Sequence, residues 1–224
     1  MDVKQELQAF ELTWVVYDPT DPLGVILALF TLSPIFIMIM YATLVASQRD
    51  LDTISMFTGQ MITVVLNKVL KKVINQPRPE GAPMSGSGMP SAHSQFIAFF
   101  AAYVVAYTWK RLNSRRRQEQ WFTIVSVLVV AVLTCYSRIH LGYHSTEQVV
   151  VGVVFGVLTG HDVLTLVCLS NVQVAPWLFP LLAKSRLAQF FYVRDISHIP
   201  DLVVYQFEIC RAKSPAASPK SKSQ

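Results

Sequence analysis

The chain has 224 residues, a formal net charge of +5, 52% hydrophobic residues and a mean hydropathy of +0.40. That apolar content excludes an ordinary soluble domain. Three cysteines, Cys135, Cys168 and Cys210, are odd in number and lack metal-ligand spacing, which excludes a disulfide scaffold or a cysteine metal site.

Residues 1–22 hold Asp2, Glu6, Glu11, Asp18 and Asp21 against Lys4 alone, and lack the basic n-region and cleavage site of a removable signal peptide. Apolar runs follow at 24–46, 53–70, 94–109, 121–136 and 148–169. Each is close to the roughly 20 residues a spanning helix needs. The pattern predicts an all-α, polytopic membrane bundle of five spans. A sixth segment, 172–183, is short and carries Pro176 and Pro180, so it is expected to be re-entrant or interfacial.

The second run ends in Lys71-Lys72-Val73-Ile74-Asn75-Gln76-Pro77-Arg78-Pro79, where the prolines stop the helix. Lys supplies a point charge and Arg a bidentate fork for phosphate; Lys72 reads as snorkelling to the headgroups. A Gly/Ser/Pro-rich stretch from Glu80 to Met89 reads as a flexible loop. Pro90-Ser91-Ala92-His93-Ser94 then opens the third run, with Ser91 as a natural N-cap. The free N–H groups of a helix start attract an anion, and His93 in the first turn fits either an interfacial ring or a proton donor to that anion.

The stretch Lys110 to Arg117 carries five cations and no acid. A nucleic-acid patch is one reading of such a run, but between two spans it marks the cytosolic side. Helix parity then puts the acidic N-terminus, the second-to-third connection and the fourth-to-fifth connection together on the extracytosolic side. From Lys184 onward seven Lys or Arg face three Asp or Glu, as a cytosolic C-terminal segment should. The organisation expected is an extracytosolic segment at 1–22, a membrane domain at 23–183, a cytosolic or interfacial segment at 184–212 and a disordered basic tail at 213–224. Lys220-Ser221-Lys222-Ser223-Gln224 resembles a dilysine retrieval address for the endoplasmic reticulum, and equally fits plain disorder.

The fourth and fifth runs are joined by Ser137-Arg138-Ile139-His140-Leu141-Gly142-Tyr143-His144. Ionisable groups at membrane depth need a partner, water or a ligand. Arg138 suits phosphate, and a neutral His144 held at its second nitrogen suits a nucleophile. Glu147 and Gln148, at i+3 and i+4, are both candidate orienters; Ser145 to Gln148 also matches a capping box that needs no catalysis. His140 reads as a pocket-edge residue, and His161 and Asp162 as polar contacts in helix packing. No Walker glycines and no carboxylate cluster for Mg²⁺ are present, so neither metal nor cofactor is expected.

Lys71-x(6)-Arg78-Pro79, Pro90-Ser91-Ala92-His93 and Ser137-Arg138-x(5)-His144 together resemble the three-part signature of the type-2 phosphatidic acid phosphatase superfamily. Gly88 to Phe96 and Phe191-Tyr192-Val193-Arg194-Asp195 resemble its dolichyl diphosphatase branch. The resemblance implies hydrolysis of a polyprenyl (dolichyl) diphosphate through a phosphohistidine, on the luminal side of the endoplasmic reticulum membrane, recycling a glycan carrier lipid. It implies Lys71, Arg78, Ser91 and Arg138 as phosphate-binding residues, His144 as nucleophile and His93 as the acid for the leaving group. Two positions depart from the superfamily pattern: Ala92 stands for Gly, and Gln148 for a carboxylate. A broader lipid phosphatase and a non-catalytic lipid-binding protein are the alternative readings.

Overall fold

The structure is a computed structural model that describes residues 15–111, 117–173, 184–193, 199 and 202–213. Among these are eight helices: α1 (Pro22–Thr31), α2 (Ser33–Gln48), α3 (Leu51–Ile74), α4 (Ala92–Arg111), α5 (Arg117–His140), α6 (Thr146–Gln173), α7 (Arg186–Phe190) and α8 (Leu202–Ala212). No strand occurs among the described residues; Pro77 and Ser87 form an isolated antiparallel bridge. The all-helical membrane architecture is therefore as expected.

Among the described residues four segments are long and apolar enough to cross a membrane: Pro22–Gln48, Leu51–Ile74, Arg117–His140 and Thr146–Thr165. The remaining expected span, the third run at 94–109, is α4, which has 20 residues but a less apolar sequence that includes His93, Ser94 and Gln95. Its position explains this. It packs against α2, α3, α5 and α6, and every residue from Phe96 to Ala101 is buried. A helix walled by protein has no need of an apolar face on every side. The outer helices do, and they expose Val65, Val69, Val132 and Leu158. Two core clusters grip α4, one around Tyr41, Ile97 and Phe100, the other around Phe99, Tyr103 and Leu164.

The first apolar run is one crossing in length but two helices in structure, broken at Leu32. Pro34 has no N–H to give the Phe30 carbonyl; the hydroxyl of Thr134 on α5 donates to that carbonyl instead (3.3 Å). Ser33 with Thr134 and Thr31 with Ser137, each at 2.9 Å, complete a buried polar seam. The kink is thus resatisfied by a neighbouring helix, as an apolar surrounding requires, and it ties α1–α2 to the end of α5 that carries Arg138.

Glycines set the α4–α6 contact. Cβ atoms added at Gly152 and Gly160 would lie 2.8 Å from the Ser91 carbonyl oxygen and 2.9 Å from that of Phe99, and one at Gly156 would strike the Gln95 carbonyl. Close backbone approach through small residues is how helices associate without a hydrophobic driving force.

Residues 172 and 173 belong to α6, and the rest of the proposed sixth segment lies outside the described residues. So do 112–116 of the basic loop, the Arg194 and Asp195 of the tail stretch, and the tail from 214 onward. Cys135 and Cys210 are free thiols. His161 and Asp162 differ from expectation: their side chains are exposed, and they face each other at 3.6 Å rather than another helix.

Candidate active site

Four helix ends meet at one end of the bundle: the C-termini of α3 and α5 and the N-termini of α4 and α6. Helix α3 stops where Asn75 takes the left-handed conformation (φ 46°) and donates its N–H to the Lys71 carbonyl. Asn tolerates that cap better than most residues. Pro77 then turns the chain so that Arg78 points back over the helix ends.

Helix α5 ends in a tighter turn. Gly142, at φ 71°, allows the chain to reverse, and the Arg138 carbonyl accepts the N–H groups of both Tyr143 (3.1 Å) and His144 (3.0 Å). The reversal brings His144 back beside the arginine six residues before it. The Arg138 guanidinium lies 3.8 Å from the centroid of the Tyr143 ring, a cation–π contact.

His144 is buried and held at both nitrogens. Gln148 Nε2 donates to the Pro77 carbonyl (2.8 Å) and the Gln76 Oε1 (3.2 Å), so Gln148 Oε1 is the atom facing His144 Nδ1, at 3.0 Å. An amide oxygen only accepts, so Nδ1 carries the proton and the Nε2 lone pair is available. Nε2 in turn faces Arg78 Nη1 at 3.3 Å. Burial first, then the Arg78 charge, push the imidazole down to about 3. The ring is neutral at physiological pH, as a nucleophile must be. Burial also lowers the Arg78 guanidinium from its ordinary value.

Of the two candidate orienters, then, Gln148 holds the ring, while Glu147 is exposed and makes no contact with it. The capping box is half formed: Ser145 Oγ accepts the Gln148 N–H (3.4 Å), but the Gln148 side chain turns to His144 rather than back to the cap.

The cations gather around this ring. Arg78 Nη1 donates to the Tyr143 carbonyl (3.0 Å), and Lys71 Nζ to the Ser87 carbonyl (3.0 Å). The charges of Lys71, Arg78 and Arg138 all act on His93 and His144. Arg78 Nε and Arg138 Nε are buried donors without a partner, and no carboxylate among the described residues pairs with these three cations. Unpaired buried donors and uncompensated charge are costly; an anion would relieve both. Phosphate matches the fork geometry.

Ser91 caps α4 as expected: its Oγ accepts from the Ser94 N–H (3.5 Å) and hydroxyl (3.0 Å). Its own N–H is bonded to the Gln148 carbonyl (3.0 Å), so the N–H groups free to meet an anion are those of Ala92 and His93. His93, half-buried, lines a cavity of about 370 Å³ together with Lys71. The Glu80–Met89 stretch is better tied than a flexible loop. Ser87 Oγ donates to the Lys71 carbonyl (3.0 Å), and the Gly88 N–H to that of Gln76 (2.8 Å). Lys72 is exposed. His140 stands apart from the cluster, bonded to Asp21 at 2.6 Å; that bond holds the Asp21 carboxyl below its ordinary value.

Four participants carried no separate signal in sequence: Gln76 and Pro77, which orient Gln148; Tyr143, under Arg138; and Gly88, where a Cβ would lie 2.5 Å from the Gln148 amide. Gly88 opens the stretch that resembles the dolichyl diphosphatase branch and Tyr143 directly precedes His144, but neither position pointed to these contacts.

A membrane helical bundle with a histidine among arginines at one end defines a class of phosphate-handling membrane enzyme. Residues 52–171 match the PAP2 superfamily, and the chain belongs to that family. It is 35% identical over 213 residues to human "Dolichyldiphosphatase 1", covering 91% of this chain and 88% of that protein. It is 34% identical to "Lipid phosphate phosphatase gamma" of Arabidopsis thaliana, covering 94% of each. Among solved structures it resembles a PAP2-type phosphatidylglycerolphosphate phosphatase from Bacillus subtilis, with a TM-score of 0.56 and 25% identity, covering 68% of this chain and 79% of that one.

Proposed function

We propose that this chain hydrolyses dolichyl diphosphate to dolichyl monophosphate and inorganic phosphate through a phosphohistidine on His144. The observation that carries the reading is the buried His144 ring, with Gln148 Oε1 at Nδ1 and Arg78 at Nε2, beside two guanidinium Nε donors that lack partners. The names of the human and Arabidopsis relatives supply the substrate class.

In the proposed cycle Arg78, Arg138 and Lys71 hold the terminal phosphate, with the N–H groups at the start of α4. His144 Nε2 attacks phosphorus and the bridging P–O bond breaks. The departing lipid monophosphate takes a proton from His93. Water then attacks the phosphohistidine and gives a proton back to His93 as the N–P bond breaks; phosphate leaves, and Nε2 regains its lone pair. The cation cluster acts where negative charge develops, the largest lever in reactions of this kind, and no step calls for a metal or a cofactor. The cavity of about 370 Å³ suits the polyprenyl chain, because Pro34, Ile35, Val64 and Phe96 wall it while Lys71 and His93 stand in its lining. The lipid bilayer is the second partner. The luminal face of the endoplasmic reticulum membrane, and recycling of the carrier for N-glycosylation, follow from helix parity and from the substrate.

The test is phosphate release by purified protein in detergent with chelator present, across dolichyl diphosphate, dolichyl monophosphate and phosphatidate. Dolichyl diphosphate should be turned over fastest, and His144→Ala should lower the rate roughly a thousandfold or more. Activity surviving His144→Ala, or lost to chelator, removes the mechanism; preference for phosphatidate removes the substrate.

A further inference from the structure

The interface between α3 and α4 is crossed by a ladder of buried polar side chains that the mechanism above leaves unused. Gln60, Thr63 and Asn67 recur at helical spacing on one face of α3, all three at 5% exposure or less. Gln60 Nε2 donates to the Phe96 carbonyl (3.3 Å), and Gln95 Nε2 to the Thr63 carbonyl (3.3 Å). That second bond turns Gln95 Oε1 toward α3, where Asn67 Nδ2 meets it at 2.7 Å. The same Nδ2 donates to the Pro90 carbonyl at 3.3 Å.

An apolar pair would pack such an interface equally well, so a satisfied amide network here specifies register more than it adds stability. Its uppermost rung has a functional address. Pro90 precedes Ser91, and Gln95 follows His93 by two residues, so Asn67 grips the first turn of α4 on both sides of His93. Lys71 stands one turn beyond Asn67 on α3, and Asn67, Lys71 and His93 all line the same cavity. The position of the α4 start relative to the phosphate-holding end of α3 is therefore set at Asn67.

We propose that Asn67 is a positioning residue that fixes His93, the proton donor to the leaving group, against the phosphate held by Lys71; this rests on the function proposed above. Misplacing a reacting group by about 1 Å costs on the order of a hundredfold, and a lost general acid about a hundredfold or more.

The experiment is a double-mutant cycle on turnover of dolichyl diphosphate, comparing Asn67→Ala, His93→Ala and the pair, with Asn67→Asp as an isosteric second variant that removes the donor. Melting in detergent checks that each is folded. Asn67→Ala and Asn67→Asp should each lower kcat by at least about tenfold with KM changed less than about threefold. In the His93→Ala background the same substitutions should change kcat less than about twofold, because coupled residues fail to add. Equal losses in both backgrounds overturn the proposal, as does unchanged kcat in either folded single variant. Failure of His93→Ala itself to slow turnover instead overturns the acid role of His93 and leaves the function as a phosphatase standing.

Discussion

A nucleophilic histidine needs its second nitrogen held, and here the holder is an amide. A carboxylate at position 148 would hold the ring equally well and would also favour imidazolium; Gln148 orients without supplying charge. Its own orientation is enforced from 71 residues away, by the Pro77 carbonyl. That is why Glu147 stayed beside Gln148 as a candidate in the sequence: i+3 and i+4 both reach back one turn, and the contacts that decide between them are not local. Lys71, Arg78, Ser91, His93, Arg138 and His144, by contrast, were legible because each belongs to a spaced motif. The two orienter candidates separate by experiment. Gln148→Ala should lower kcat roughly a hundredfold by freeing the ring, in line with the cost of a misplaced catalytic group, whereas Glu147→Ala should stay within about twofold of the parent. Steady-state kinetics on the two variants distinguishes them, and a Glu147→Ala loss as large as that of Gln148→Ala would refute the assignment of the Nδ1 contact.

Helices were legible where apolar runs are long, and their interruptions were not. Pro34 sits in the middle of an apolar run; only the hydroxyls of Thr134 and Ser33 make its break at Leu32 tolerable, and those lie a hundred residues apart in sequence. The low hydropathy of α4 likewise acquires its meaning from its neighbours, since burial against α3, α5 and α6 removes the need for a lipid-facing surface on every side. Gly152, Gly156 and Gly160 read in sequence as ordinary small residues, yet they bring the α6 backbone against α4 beside Ser91. Gly156→Leu should therefore separate α4 from α6. Overpacking costs about 1–3 kcal/mol, so melting in detergent should fall by several degrees, and activity should fall with it because Ser91 is bonded to Gln148 across that same contact. A folded, fully active Gly156→Leu would mean that the α4–α6 approach is not needed by the site.

At the scale of the whole molecule, the candidate site and the two residues that bound the basic loop, Arg111 and Arg117, lie at opposite ends of the same two helices. Helix α4 starts at Ala92 beside the site and ends at Arg111; α5 starts at Arg117 and ends at His140 beside the site. If both cross the membrane, the cations from Lys110 to Arg117 and the His144 cluster face opposite compartments. The positive-inside bias then assigns the loop to the cytosol and the site to the lumen. In the proposed orientation the anionic substrate would meet its clamp on the luminal side, away from the cytosolic pool of phosphate esters that would otherwise compete for it. The arrangement is open to a direct test. Gly81 and Gly86 lie in a connection where an added side chain meets nothing within 4 Å, so a Gly/Ser-flanked Asn-Xaa-Thr acceptor placed between them should be tolerated. In microsomes that acceptor should be glycosylated, read as an endoglycosidase-sensitive shift on a gel, while the same insert at 112–116 should stay unmodified. Modification at 112–116 alone would invert the topology and put the phosphatase site in the cytosol, where a cytosolic pool of lipid diphosphate would have to replace the luminal one as its source of substrate.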